Sequence, residues 1–136
     1  MKLIQLKSLN FSKKKRNSNK IKLIILHYTG MQSMRASIKR LTDKKQEVSC
    51  HYLISRKGKV YQLVDDNKIA WHAGKSKWDY FKDLNDKSIG IELVNKGHKF
   101  GYQQYPDKQI NALIKICIKL KKKYNIKNRL ILGHSD

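Results

Sequence analysis

Cysteine, acidic residues and long apolar runs are all scarce in this chain. Its two cysteines, Cys50 and Cys117, lie far apart and fit no zinc-knuckle or redox spacing, so we expect a buried structural position for both. No segment reaches the ~20 apolar residues of a membrane span, and we predict no transmembrane segment. Residues 1–20 lack an unbroken apolar core and a small-residue cleavage site. We therefore predict no signal peptide and expect a cytoplasmic protein, with a periplasmic or cell-wall-associated protein as the alternative.

The shortage of acids gives the chain a strong positive charge. It has 10 acidic and 31 basic residues, for a net charge of +21, and 26 of the basic residues are lysine. These lysines are scattered along the chain and form no arginine-rich arm or aromatic-interleaved stripe. We expect a charged surface that attracts anionic polymers in general, without a specific nucleic-acid partner. A basic nucleic-acid-binding protein is the alternative, and tight, salt-dependent binding to DNA or RNA would reveal it.

Hydrophobic patterns predict one α/β domain over residues 21–136, preceded by a basic, flexible lead-in over residues 1–20. Strands are predicted at 23–28, 49–56, 59–64, 88–95 and 130–132, helices at 31–42 and from Pro106 to Tyr124, and a long loop at 65–87. Because strands and helices alternate, we expect a mixed central sheet flanked by helices.

Three of the predicted strands carry ionisable side chains. In SIGIELVN, Glu92 lies at the centre of a run that otherwise reads as a buried strand, where an ionised carboxylate is costly unless it is paired. His27 and His134 each follow an apolar run, so they would meet at one sheet edge, as two ligands of one metal, if their strands are neighbours. Two simpler readings stay open: hydrogen-bonded histidines at strand ends, and a structural ion pair between Glu92 and a lysine.

Five sequence motifs occur in a characteristic order. They are HYTG (27–30), SCHYLISRKGKVYQLV (49–64), AWHAGKSKW (70–78), LNDKSIGIELVN (84–95) and ILGHSD (131–136). With these motifs the chain resembles the zinc-dependent N-acetylmuramoyl-L-alanine amidases, a group that shares its fold with phage lysozyme-type amidases and peptidoglycan recognition proteins. The resemblance runs from about Leu23 to the last residue.

The resemblance implies a zinc hydrolase that acts on peptidoglycan or muropeptides in cell wall turnover or recycling. His27 and His134 match the two zinc-binding histidines, and Glu92 matches the carboxylate that acts on the attacking water. Such enzymes cleave the amide between the lactyl group of N-acetylmuramic acid and L-alanine. The chemistry is consistent, because zinc lowers the pKa of a water and a glutamate can carry its proton to the leaving amine. We expect a monomer.

Other aromatic and histidine residues are candidates for substrate contact. The resemblance places Trp71 and His72 in a loop that borders the substrate groove, and Tyr28 is a further candidate beside the first ligand. An indole packs well on a sugar or peptide face, but a tryptophan in a loop can equally cover the core. For His51 we favour a structural hydrogen-bonding role over that of a third ligand.

The family pattern extends past the final motif of this sequence. It continues into a loop with a basic catalytic residue and a third zinc ligand, usually an aspartate before Pro-Gly. We therefore expect the domain to be C-terminally incomplete relative to the family and to hold zinc weakly, unless Asp136 substitutes. The alternative is a noncatalytic peptidoglycan-binding protein of the same fold.

Overall fold

A six-stranded mixed sheet forms the centre of the molecule. The structure is a computed structural model, and it describes residues 1–73, 84–97, 101 and 103–133. The strands are β1 (Leu3–Gln5), β2 (Phe11–Lys15), β3 (Leu23–Tyr28), β4 (Tyr52–Ile54), β5 (Val60–Gln62), β6 (Lys68–Ala70), β7 (Ser88–Leu93) and β8 (Ile131–Gly133). The sheet order is β1-β5-β4-β7-β3-β8, and β2 pairs with β6 in a separate antiparallel ribbon. The predicted α/β class with a mixed sheet is confirmed.

Four neighbouring strands of the sheet run parallel. β4 pairs with β7, β7 with β3, and β3 with β8, all in the parallel sense, while β5 returns antiparallel beside β4. The predicted hairpin of β4 and β5 is therefore confirmed. Because parallel strands end on the same side of a sheet, residues at the carboxyl ends of β3, β7 and β8 are brought to one edge.

In the described part of the chain, helices α1 (Met34–Thr42) and α2 (Asp107–Tyr124) cover the two faces of the sheet. Helix α1 begins at Ser33, whose side chain accepts a hydrogen bond from the Ala36 amide at 3.1 Å. Helix α2 follows Pro106 as predicted, and its last turn carries three lysines, which suit the negative end of the helix dipole. Among the described residues, no helix has the length and apolar character needed to cross a bilayer.

Each face of the sheet has its own hydrophobic cluster. On one face, Ile116 and Leu120 of α2 pack with Ile24 and Ile91 of the sheet. On the other, Leu41 of α1 packs with a group that includes Leu53, Leu63, Val64, Ala70 and Val94. This second face also carries the polar residues of the candidate site, so a compact apolar layer supports them from the α1 side.

The predicted flexible lead-in over residues 1–20 is instead packed against the rest of the domain. β1 pairs in parallel with β5, and the pairing continues as the Ser8 amide donates to the Leu63 carbonyl at 2.9 Å. Asn10 and Arg16 are almost fully buried. The segment is fixed by polar side chains that bond backbone carbonyls, and such bonds leave no hydrophobic pattern for a sequence reading to detect.

The predicted long loop over residues 65–87 is also partly wrong. Residues 68–70 form β6, and residues 84–87 are helical. β6 pairs with β2, the strand that the sequence reading assigned to the lead-in, so the two errors have a common origin. Residues 74–83, including Trp78, lie outside the described residues.

Candidate active site

The fold places His27 and Glu92 side by side. They are Cα partners in the parallel pairing of β3 with β7, so their side chains project from the same face of the sheet. Both are nearly buried, with exposed fractions of 5% for His27 and 6% for Glu92. An imidazole and a carboxylate from distant parts of the chain are thus brought together at the carboxyl end of the parallel strands.

The second predicted zinc ligand, His134, lies outside the described residues, as does Asp136. The described part of β8 ends at Gly133, and the last Cα pair between β8 and β3 joins Gly133 to Leu26, the residue before His27. Within the described ranges, no group of three or more histidine, cysteine or carboxylate residues is arranged to hold a metal ion. Of the two predicted zinc-binding histidines, the described residues include His27 alone.

His27 is fixed by a second histidine. Its Nε2 lies 3.0 Å from Nδ1 of His72, and the two rings meet edge to face with centroids 5.2 Å apart. On the far side of the His72 ring, Nε2 lies 2.8 Å from the hydroxyl of Ser88. Histidines that bind metals typically have such a partner on their other ring nitrogen, so the surroundings of His27 fit a metal ligand.

Gly90 provides the space that the His72 ring occupies. A Cβ added at Gly90 would lie 2.2 Å from Cγ of His72, far closer than any real contact. Ser88, Gly90 and Glu92 alternate along β7 and so share one face of the strand. Three residues of the SIGIE motif therefore have structural roles: Ser88 bonds His72, Gly90 leaves space for the His72 ring, and Glu92 lies beside His27.

His51 has the structural role that was predicted for it. The ring is fully buried, its Nδ1 accepts a hydrogen bond from the Gly90 amide at 3.1 Å, and its Nε2 lies 2.8 Å from the Lys68 carbonyl. Since an amide can only donate and a carbonyl can only accept, a neutral ring carries its hydrogen on Nε2. Burial, reinforced by the Arg16 charge, lowers the pKa of His51 to about 4.

Arg16 is a buried cation that the sequence reading missed. Its guanidinium donates to the carbonyls of Asp66, Asn85, Asp86 and Ser88 at 2.8 to 3.1 Å. Burial lowers its pKa to about 10, so it remains charged at neutral pH. These bonds fix the backbone at the start of β7, the strand that carries Glu92.

The two cysteines differ in their surroundings. Cys50 is fully buried, as predicted, and burial followed by the charge of Glu92 raises the pKa of its thiol. Cys117 is half-buried against the α2 side of the core, and burial raises its pKa to about 11. Both thiols therefore stay protonated at neutral pH, which argues against a nucleophilic role for either.

A cavity of about 370 Å³ lies beside His27. Tyr28 lines it, as do residues that sequence reasoning did not single out; the full lining is Leu26, His27, Tyr28, Leu93, Tyr105, Ile110 and Gly133. Tyr105 precedes α2 and Ile110 lies in its first turn. The sequence could have indicated these two residues only if it had shown that α2 begins over this edge of the sheet. Tyr28 thus lines a cavity that His27 also borders.

Trp71 and His72 occupy different positions. Trp71 is half-buried at the end of β6, where its amide donates to the Ser49 hydroxyl at 3.0 Å. His72 is 5% exposed and lies against His27. Substrate contact by Tyr28, Trp71 and His72 stays a prediction.

Sequence comparison relates the chain to known amidases. The family model for N-acetylmuramoyl-L-alanine amidase matches residues 17–136. The chain is 36% identical over 129 residues to N-acetylmuramoyl-L-alanine amidase AmiD of Escherichia coli K12, covering 86% of this chain and 46% of AmiD. It is 30% identical over 150 residues to 1,6-anhydro-N-acetylmuramyl-L-alanine amidase AmpD of Haemophilus influenzae, covering 97% of this chain and 79% of AmpD.

Solved structures agree in fold. The complex of E. coli AmiD with the substrate anhydro-N-acetylmuramic acid-L-Ala-D-γ-Glu-L-Lys aligns with a TM-score of 0.71 at 32% identity, covering 92% of this chain and 51% of AmiD. AmpDh3 of Pseudomonas aeruginosa, in complex with anhydromuramic pentapeptide, aligns with a TM-score of 0.73 at 30% identity, covering 92% and 53%. The chain thus spans about half the length of these two relatives. With the family model matched over most of its length, the chain belongs to the N-acetylmuramoyl-L-alanine amidase family.

Proposed function

We propose that this chain hydrolyses the amide between the lactyl group of N-acetylmuramic acid and L-alanine in peptidoglycan or its fragments. The similar proteins are named for this activity, and the AmiD and AmpDh3 structures contain anhydromuramyl peptides. A divalent zinc ion is the proposed cofactor, with His27 and His134 as ligands.

The pairing of His27 with Glu92 is the observation that carries the proposal. A nearly buried carboxylate beside a nearly buried imidazole is expensive for folding alone, but it suits a site where a metal and a general base act on one water. His27 also lines the cavity at Tyr28, which gives a substrate a place to bind.

Each residue of the site has a proposed role. When bound, zinc would supply Lewis-acid chemistry, which polarises a carbonyl and makes a water acidic. Glu92 accepts the proton of the attacking water and returns it to the nitrogen of L-alanine as the amide breaks. Its position in β7, between β4 and β3, holds the carboxylate rigidly, so little reorganisation is needed during the reaction. Tyr28 contacts the muropeptide from the cavity wall.

Product analysis tests the proposal. The full encoded protein, supplied with Zn²⁺, is incubated with an anhydromuramyl tripeptide, and the products are identified by mass spectrometry. We expect free anhydromuramic acid and a tripeptide with a new L-alanine amino terminus. His27→Ala should abolish the reaction because it removes a ligand, whereas Thr42→Ala, which loses a local bond to the Ile38 carbonyl in α1, should not. Binding of the muropeptide without cleavage would contradict the proposal and favour a noncatalytic binding protein.

A further inference from the structure

His72 has a precise place in the site but no assigned part in the chemistry. It lies between His27 and Ser88 and is in hydrogen-bond contact with both. With an exposed fraction of 5%, its ring is enclosed by protein on the face of β7 that also carries Glu92. His27, His72, Ser88 and the Leu84 carbonyl form a continuous series of hydrogen bonds, and the carbonyl determines which atom donates in each bond.

The Leu84 carbonyl fixes the direction of the first bond. It lies 2.6 Å from the Ser88 hydroxyl, and since a carbonyl can only accept, the single hydroxyl hydrogen of Ser88 points to it. The Ser88 oxygen must then accept its bond from His72, so Nε2 of His72 carries a hydrogen.

The next hydrogen bond joins His72 to His27. With both rings neutral, Nδ1 of His72 has no hydrogen and accepts a bond from Nε2–H of His27. His27 then has its hydrogen on Nε2 and a lone pair on Nδ1. Because a histidine must offer a deprotonated nitrogen to a metal, this tautomer defines Nδ1 as the ligand atom.

We propose that His72 is a positioning residue that, through Ser88 and Leu84, fixes His27 in the tautomer with its hydrogen on Nε2, so that Nδ1 is the atom that would bind the metal. This rests on the proposed function, since it assigns His27 to a metal. His72 acts through His27 and does not itself touch the reacting atoms. Its role is to orient one ligand and raise that ligand's basicity.

Gly90 supports the proposal independently of any hydrogen bond. The His72 ring lies on Gly90, where even a methyl group would collide with Cγ, Cβ and Cδ2 at 2.2 to 2.5 Å. The position of the His72 ring therefore depends on a steric contact with Gly90 as well as on its hydrogen bonds. Displacing the ring by adding a methyl group should have the same effect on His27 as deleting the ring.

The tautomer of His27 can be measured directly without metal. Long-range ¹H–¹⁵N NMR on the metal-free full encoded protein, at a pH about 1.5 units above the ordinary histidine pKa of ~6.5, separates the two neutral forms. We expect His27 and His72 both to carry hydrogen on Nε2. A hydrogen on Nδ1 of His27 would overturn the proposal whether or not any variant folds.

Zinc affinity, measured by competition with a chromogenic chelator, tests the consequence. His72→Ala and Gly90→Ala should bind Zn²⁺ roughly 10- to 100-fold more weakly than the wild type, the usual effect of losing a partner of a metal ligand. His72→Asn should restore most of the affinity, because its side-chain oxygen can replace Nδ1 as the acceptor. Ser88→Ala should weaken binding less than His72→Ala, since the ring stays in place.

Ser8→Ala is the matched control for Ser88→Ala. Ser8 is also buried and also donates to a carbonyl, that of Leu41 at 2.7 Å, but it bonds no histidine. We expect its zinc affinity to equal that of the wild type. If folded His72→Ala binds Zn²⁺ within about twofold of the wild type, His72 is merely structural. If the wild type shows the expected tautomer and yet binds no Zn²⁺, the proposed function fails instead.

Discussion

His51 shows how burial decides the protonation of a single residue. Its ring bonds the Gly90 amide and the Lys68 carbonyl, so both nitrogens are used by the neutral form. A proton added to Nδ1 would face the Gly90 N–H, another donor, inside a fully buried site next to Arg16. The folded protein therefore resists protonation of His51, and its pKa falls to about 4.

This shift predicts a pH dependence of stability. The unfolded chain takes up a proton on His51 near pH 6.5 but the folded chain only near about 4, so protons favour the unfolded state between these values. The neutral His51 ring makes its full contribution to the free energy of unfolding above about pH 6.5. This contribution, about 3 kcal/mol, is lost by about pH 4. Urea denaturation across this range should show the decline, and His51→Gln should show a smaller slope. An equal slope in both proteins would contradict the assignment.

At this scale, the sequence could identify some site residues and not others. Glu92 and His27 stood out because a charged or titratable group in a strand pattern is anomalous on its own. The partner of His27 could not be found in this way. His72 meets His27 only because the end of β6 packs over β7 at Gly90, and that contact depends on tertiary structure.

Helix α2 is joined to the strand ends by Gln109. This residue is fully buried in the first turn, and its amide donates to the carbonyls of Ile54 and Val94 at 3.0 and 3.1 Å. Ile54 ends β4, and Val94 follows β7 directly, two residues after Glu92. The side chain thus bonds backbone carbonyls where β4 and β7 end, and the Ile54 carbonyl also accepts from the Val94 amide at 3.0 Å.

Gln109→Leu should destabilise the protein. The substitution keeps the volume but removes the donor to Val94, and an unsatisfied buried carbonyl costs about 1–3 kcal/mol. Chemical denaturation measures the change in the free energy of unfolding. Asn111→Leu, at an exposed position of the same helix, is the control and should change it little. A Gln109→Leu protein as stable as the wild type would show that solvent replaces the lost bonds.

The accuracy of the element predictions follows the strength of the hydrophobic pattern. The predicted strand 23–28 matches β3, and the helix after Pro106 matches α2, because both have continuous or strictly periodic apolar residues. β1, β2 and β6 were missed. They are short, and β2 reads FSKKK, so their pairing is decided by the ribbon and sheet they join rather than by their own residues.

For the molecule as a whole, the N-terminal segment is part of the framework of the site. Arg16 reaches from the end of β2 to three carbonyls around the start of β7 and to the Asp66 carbonyl just before β6. A segment with many lysines resembles a solvated tail by composition, and a single buried arginine cannot be distinguished there from its surface neighbours by sequence alone. The structure separates them by burial, with Arg16 5% exposed and Lys14 mostly exposed.

Arg16→Met should therefore weaken the whole fold. It retains an apolar stem but leaves several buried carbonyls without donors, for an expected loss of about 3 kcal/mol or more in the free energy of unfolding. Lys14→Met is the control: its ion pair with Asp86 spans 3.6 Å, and because the Lys14 side chain is mostly exposed the pair contributes little. Denaturation curves of the two variants should differ clearly. Similar curves would mean that residues 1–20 are dispensable for the fold.

The central claim is that His27 holds a metal and Glu92 performs the proton transfer beside it. The most direct test is Glu92→Gln in the full encoded protein, with bound zinc and muropeptide cleavage measured on the same sample. We expect zinc content and affinity close to the wild type and a loss of turnover of about 100-fold or more. Cleavage at the wild-type rate by a zinc-loaded Glu92→Gln protein would contradict it.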